Sequence, residues 1–442
     1  MQDTFDYIRT FGGFTFDELP FNEVDNVNLC QFFYMPIEKV SPQTFDEEPK
    51  PFEEVCRDMY SFNGNKHVGP GLVLNKKISV KMMDMANSER YKQLKVIGVR
   101  EVYKERPAVQ FCGGTFLMPD GTIIVVFRGT DDTIVGWKED VDIYTKRSIP
   151  SHQLSVDYLK DVCKKYPEGD IIICGHSKGG NVALYAGLAS AKKIRSRIVA
   201  LYNNEGPGFD SYAWFATPAY KELLPKYRHF VPTSSIIGMM LAHDNDYEVI
   251  KNKHFFGLMQ HDITFWRTEG DRLLRARDLN IAGKFSDRFL NKWVFGINEA
   301  QRDSFDKIME AVMMEGIGAA AHGLLDVPKN IRRVITGTSA AYKEVDEDDK
   351  DILRSYVSDT AAVARNAAEE TAEETIEVRR AARESNPVEL GEDAGLVDKL
   401  RAKGREIGDK LEERIETAVT EAISRRGEDE EALPVGAAPA EA

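Results

Sequence analysis

At 442 residues and 49.8 kDa the chain is too long for one small domain and long enough for a large core plus an appendage. Its formal net charge of −14, with no run of lysines and arginines, argues against a nucleic-acid binder. Five cysteines (Cys30, Cys56, Cys112, Cys163, Cys174) are odd in number and lack both C-x-x-C pairs and metal-ligand spacing, which reads as reduced thiols.

The opening "MQDTFDYIRTFGGFTFDELPF" has no basic stretch followed by an apolar one, so no secretory signal is visible and a cytoplasmic chain is expected. From Gly121, "GTIIVVFRGTDDTIVGWKEDVDIY" is an apolar strand ending in Phe127, Arg128, Gly129 and Thr130. "IIICGHSKGG", residues 171 to 180, runs a β-branched strand into Ser177 and then into glycines. "NVALYAGLASAKK" follows with helical spacing and lysines in its last turn, which sets Ser177 on a strand-to-helix corner. Gly-x-Ser-x-Gly at such a corner is a nucleophile elbow: Gly175 and Gly179 must lack side chains for the backbone to close, and the serine oxygen is left exposed. The N–H of Lys178 opens the helix and can donate to a developing oxyanion. The plainer alternative is a Gly-Ser turn that merely starts a helix.

"RIVALYNNEGPGFD" is a further strand, ending in Glu205 before a Gly-Pro-Gly turn. "IMEAVMMEGIGAAAHGLLDV", from Ile308, holds Glu310, Glu315 and His322 and is broken by glycines, so a buried or site-covering helix is expected there and not a membrane span. Residues 1–345 alternate strand-like and helix-like runs, as a sheet with crossover helices requires. From about 346 to 442 the chain is rich in Ala, Glu and Arg and cannot build a core alone; a helical or disordered tail is expected. Leu400, Ile407, Leu411, Ile415, Val419 and Ile423 fall on one helical face, suited to a coiled-coil partner or a lipid surface.

Together these segments resemble the class 3 lipases. Their pattern joins a strand ending in Phe-Arg-Gly-Ser/Thr, a nearby Trp and Asp, a Gly-His-Ser-x-Gly elbow and a Gly-x-Pro loop; Thr130, Trp137, Asp140, Ser177 and Gly206 to Gly208 match in order. A bacterial group of lipase-like proteins of unknown function is more similar still, through "FDELPFNEVDNVNLCQF", "VPTSSIIGMML" and "QHDITFW". The resemblance covers about residues 10–275. It implies an α/β-hydrolase fold, with a mostly parallel central sheet and flanking helices. It also implies that Thr130 supplies a second oxyanion donor beside Lys178, and that "DDTIVGWKED" occupies the lid region, with Trp137 able to meet acyl chains; the alternative for that segment is an ordinary structural loop, because Asp131, Asp132, Lys138 and Glu139 make it polar for a lid.

In hydrolases of this fold the order is Ser, acid, His. Among the histidines after Ser177, His261 repeats the His-x-x-x-x-Trp spacing of the class 3 lipases, through Trp266, and is preferred as the base. His176 is expected to pack or hydrogen-bond within the elbow, and His67 and His152 to be surface or hydrogen-bonded residues. The acid departs from the family, since "RHFVP" offers His229 where those lipases carry an Asp. Glu205, at the end of the strand after the elbow, is preferred over Asp246, which heads "DYEVIKN" and so belongs at the opposite sheet edge. Asp262 is too close in sequence to reach its neighbour's ring nitrogen easily. For each acid, capping of backbone N–H groups is the structural alternative.

The chemistry implied is attack by Ser177 on the acyl carbonyl of a lipid-like or other small ester, with no metal or cofactor and no nucleic-acid partner. Lys178 is expected either to orient an anionic head group or to pair with a nearby acid. The competing class is a non-catalytic lipase-like scaffold whose tail recruits partners.

Overall fold

The computed structural model describes residues 2–62, 78–131, 133–146, 148–244, 246–254, 258–280, 283–284 and 287–288. The chain divides into two units, Met1–Phe295 and Gly296–Ala442. The second lies outside the described residues, and with it the expected boundary near 345, the segment from Ile308 and the Ala/Glu/Arg-rich tail.

Eleven strands are described: β1 (Gln2–Asp3), β2 (Lys50–Pro51), β3 (Lys95–Lys104), β4 (Val109–Leu117), β5 (Ile123–Phe127), β6 (Ile171–His176), β7 (Ile198–Asn204), β8 (Tyr227–Pro232), β9 (Glu248–Ile250), β10 (Arg267–Glu269) and β11 (Arg272–Leu273). Strands β2 to β9 form one eight-stranded sheet in sequential order, antiparallel from β2 to β5 and parallel from β5 to β9. The sheet is thus mostly parallel and flanked by helices, the architecture expected above. A small second sheet pairs β1 with β10 and β10 with β11.

Strand β5 reads IIVVF and β6 opens IIIC, because a strand covered on both faces has no position for a polar side chain. Alternate residues go to opposite faces. Ile123, Val125, Phe127, Ile171 and Ile173 pack with the crossover helices Pro150–Lys165 and Lys178–Ala189. Ile124, Val126, Ile172 and Cys174 meet a layer built from the helices Thr4–Phe11, Glu23–Phe32, Phe52–Phe62 and Ile78–Ala86, all of which precede the parallel strands.

The N-terminal layer is thus half of the core. Helix Glu23–Phe32 is buried at every position, which explains why its sequence shows no polar face. Its polar side chains are satisfied internally: Asp25 accepts from Arg90 Nε at 2.8 Å and from the Tyr91 hydroxyl at 2.7 Å, and Asn26 Nδ2 donates to Asn204 Oδ1 at 2.9 Å. The five cysteines are free thiols.

Helix Lys178–Ala189 begins directly after Ser177, earlier than its apolar spacing suggests, and the lysines expected in its last turn lie beyond it in the short helix Lys192–Arg195. Parallel register sets Phe127 beside Gly175 and His176 beside Asn204, so the carboxyl ends of β5, β6 and β7 share one edge. Thr130, Ser177 and Glu205 leave the sheet there. Among the described residues no helix is long and apolar enough to cross a membrane.

Candidate active site

Ser177 sits at φ 59° and ψ −133°, a conformation that few residues other than glycine adopt. A side-chain carbon on Gly175 would lie 2.0 Å from the Gly179 carbonyl oxygen, and one on Gly179 would lie 2.2 Å from the Phe127 oxygen. Either would push the helix off the sheet, so the corner requires both glycines. The Ser177 N–H donates to the Asn204 carbonyl at 3.0 Å and its own carbonyl accepts from the Gly180 N–H at 2.8 Å. The side chain is half-buried.

Glu205, the residue after β7, also has positive φ, at 52°, which turns its carboxylate away from the strand line. It is 1% exposed. One carboxylate oxygen, Oε1, accepts from the Ser235 hydroxyl at 2.9 Å; the other lies 3.2 Å from His261 Nδ1, within ion-pair distance but not aligned as a hydrogen bond. His261 is held from behind. His176 Nε2–H donates to the His261 carbonyl at 2.9 Å, and the two rings lie 4.5 Å apart. Burial, with His261 beside it, holds His176 well below the usual imidazole range, so its Nδ1 accepts from the Tyr34 hydroxyl at 2.7 Å. Both ring nitrogens are committed, and His176 props the site instead of titrating in it.

The remaining acids are occupied elsewhere. Asp246 is exposed, precedes β9 at the amino edge, and donates its N–H to Asp244. Asp262 caps the short turn Ile263–Phe265 by accepting from the Thr264 N–H at 2.8 Å, and burial pushes its carboxyl up to about 6. His229 lies on β8 with Nδ1 3.2 Å from Asp244 Oδ2. His152 is buried, stacks on Tyr185 at 4.1 Å and donates Nε2–H to Asn181 Oδ1 at 2.7 Å; burial lowers it to about 4. His67 and His322 lie outside the described residues.

At the end of β5, the Thr130 hydroxyl donates to Asp140 Oδ1 at 2.6 Å, and burial raises that carboxyl to about 6 in spite of the nearby Lys178 ammonium. Lys178 leads the elbow helix, so its N–H has no acceptor within the helix. Its side chain turns inward and is 2% exposed. Nζ donates to the Gln110 carbonyl at 2.8 Å, to Gln110 Oε1 at 2.6 Å and to Glu139 Oε2 at 2.9 Å. Of the two expectations for Lys178, pairing with an acid is the one the geometry gives.

Glu139 also accepts from the Gln110 N–H at 2.9 Å and from the Ser151 N–H and hydroxyl at 3.1 and 2.6 Å. It belongs to helix Ile134–Thr145, so the polar segment assigned to the lid region is helical and tied by buried charge to the residue after Ser177. The side chain of Trp137 lies outside the described residues. Tyr34, Gln110, Glu139, Ser235 and Gln260 escape sequence reasoning, although "VPTSSIIGMML" and "QHDITFW" contain two of them.

A family model described as Mbeg1-like matches residues 85–310, just over half of the chain. The chain belongs to the Mbeg1-like family. The Mbeg1-like match takes in Thr130, Ser177, Glu205 and His261 and leaves out the N-terminal helical layer. Among solved structures, a triacylglycerol lipase from Penicillium expansum is 14% identical, with 42% of this chain and 75% of that one covered and a TM-score of 0.28. A Rhizomucor miehei lipase propeptide complex is 18% identical over 52% of this chain and 68% of that one, with a TM-score of 0.29. No curated protein matches in sequence.

Proposed function

We propose that this chain is a serine ester hydrolase that cleaves carboxylic acyl esters through an acyl-enzyme. The observation that carries the reading is the strained Ser177 elbow, whose His176 ring lies 4.5 Å from that of His261, together with the buried Glu205 carboxylate 3.2 Å from His261 Nδ1. In this mechanism Ser177 Oγ attacks the ester carbonyl while His261 Nε2 takes its proton. Glu205 holds the Nδ1–H tautomer and stabilises the imidazolium that forms. The backbone N–H groups of Lys178 and Thr130 receive the oxyanion, and the Thr130–Asp140 bond fixes the second donor. His261 then gives its proton to the leaving alkoxide, and a water repeats the sequence to release the acid.

Lipid-like acyl groups are proposed on the resemblance of these motifs to those of the class 3 lipases. The test is covalent labelling of the full chain by a fluorophosphonate serine probe. Labelling of the wild type, absent in Ser177→Ala and His261→Ala, supports the reading. A folded wild type that resists the probe and hydrolyses no nitrophenyl ester of short or long acyl chain refutes it and leaves the non-catalytic scaffold.

A further inference from the structure

We propose that Gln260 is a positioning residue that sets the reach between Glu205 and His261 by tying the loop that holds the acid to the turn that carries the base. This rests on the hydrolase reading above.

Gln260 is fully buried, and its polar groups are engaged. Side-chain Oε1 accepts from the Thr233 hydroxyl at 3.1 Å and from the Ser234 N–H at 2.8 Å; Nε2 donates to the His254 carbonyl at 2.8 Å. Its own carbonyl accepts from Asn252 Nδ2 at 3.0 Å and Trp266 Nε1 at 3.2 Å. Both residues that Oε1 engages lie just beyond β8, and the next one, Ser235, is the donor to Glu205. The residue after Gln260 is His261 itself.

One side chain therefore connects two short loops whose next residues touch, respectively, the acid and the base. That link matters because the Glu205–His261 contact is short but unaligned, so a shift of a few tenths of an ångström decides whether the imidazole is oriented. An apolar side chain of the same length keeps the packing but leaves the Ser234 N–H and the His254 carbonyl without Gln260, so it costs stability whatever the role, and only a change at the site itself distinguishes positioning from packing.

Gln260→Met keeps the length and removes the bonds. In the full-length protein the fluorophosphonate labelling rate, corrected for folded fraction, should fall about a hundredfold, the size of effect that a misplacement of about an ångström produces. Ester hydrolysis should lose kcat and keep KM. A second readout needs no catalysis: the ring-nitrogen NMR shifts of His261, which report which nitrogen carries the proton, should move in Gln260→Met in the same direction as in Glu205→Gln, because a carboxylate that no longer reaches the ring no longer holds the proton on Nδ1. If Gln260→Met does not fold, Thr233→Val, which spares the Ser234 N–H bond, should give a smaller shift of the same sign.

Unmoved His261 ring-nitrogen shifts and wild-type labelling in folded Gln260→Met overturn the proposal. A wild type that is never labelled, while both Gln260→Met and Glu205→Gln show the change in His261 ring-nitrogen shifts, refutes the hydrolase reading and leaves the positioning role standing.

Discussion

Glu139→Gln tests the inward pairing of Lys178 most directly. The substitution removes the counter-ion of an ammonium that is 2% exposed and keeps the shape of the side chain that receives it. Lys178 would retain Gln110's two oxygens as acceptors but would be a buried charge without an opposite charge. The new amide N–H₂ would also face one of the donors now accepted by Glu139, which come from Gln110, Ser151 and Lys178. Breaking one side of a buried pair in this way costs ~3–5 kcal/mol. At about 2–4 °C per kcal/mol for a large domain, the melting midpoint should fall by roughly 6–20 °C. Lys178→Met on its own should cost less, because the Glu139 carboxylate keeps three donors. The double variant should recover more than half of the Glu139→Gln loss, since the amide at 139 can then donate to the Gln110 oxygens that lysine vacates. Thermal unfolding followed by circular dichroism reads all three. An unshifted midpoint in Glu139→Gln, or a double variant worse than either single one, refutes the reasoning.

Glu205→Gln should leave the fold intact and lower kcat on the order of ten-thousandfold, the loss seen when the corresponding acid of a serine protease is made an amide, whereas Asp246→Asn at the far edge should hydrolyse like the wild type. Thr130→Val deprives the partly buried Asp140 carboxyl group of its hydroxyl donor but leaves the backbone N–H in place, so kcat should fall by less than about a hundredfold with KM steady; a normal kcat with a raised KM would contradict the oxyanion role. Asp262 is raised from 3.8 to about 6 by burial, so the folded chain holds a proton that the unfolded chain releases. Its contribution to stability is full below pH ~4 and is lost as pH rises through ~6. Asp262→Asn keeps the cap on Thr264 and should flatten that part of the pH dependence of the urea midpoint; equal slopes in both proteins would count against the buried-acid assignment.

The local pattern made the elbow legible, because close packing at Gly175 and Gly179 is written in two adjacent motif positions. The apolar strands β5 and β6 were equally plain, since burial on both faces leaves unbroken apolar runs. Sheet direction carried the preference for Glu205 over Asp246, and the geometry brings Glu205, not Asp246, to His261. What stayed hidden depends on contacts distant in sequence. The inward turn of Lys178 is decided by Gln110 and Glu139, 68 and 39 residues away, and no periodicity records that. Helix Glu23–Phe32 was equally opaque, because a helix buried all round has no hydrophobic stripe to reveal it. The burial of Glu139 within the polar "DDTIVGWKED" was hidden for the same reason: its carboxylate is paired with Lys178, elsewhere in the chain.

That N-terminal layer also constrains how the protein can be made. Asn26 bonds Asn204 across 178 residues, and β1 waits for β10, so the first helices leave the ribosome long before the strands they cover exist. Their apolar faces stay bare through most of synthesis, which makes this stretch the one most dependent on chaperone protection. Substitutions within Glu23–Phe32 should accordingly show up as lost yield of soluble protein, with normal specific activity in whatever survives. A fragment begun at residue 85, where the family match starts, would lack the cover over Ile124, Val126, Ile172 and Cys174 and should aggregate even though it contains every residue assigned to the chemistry.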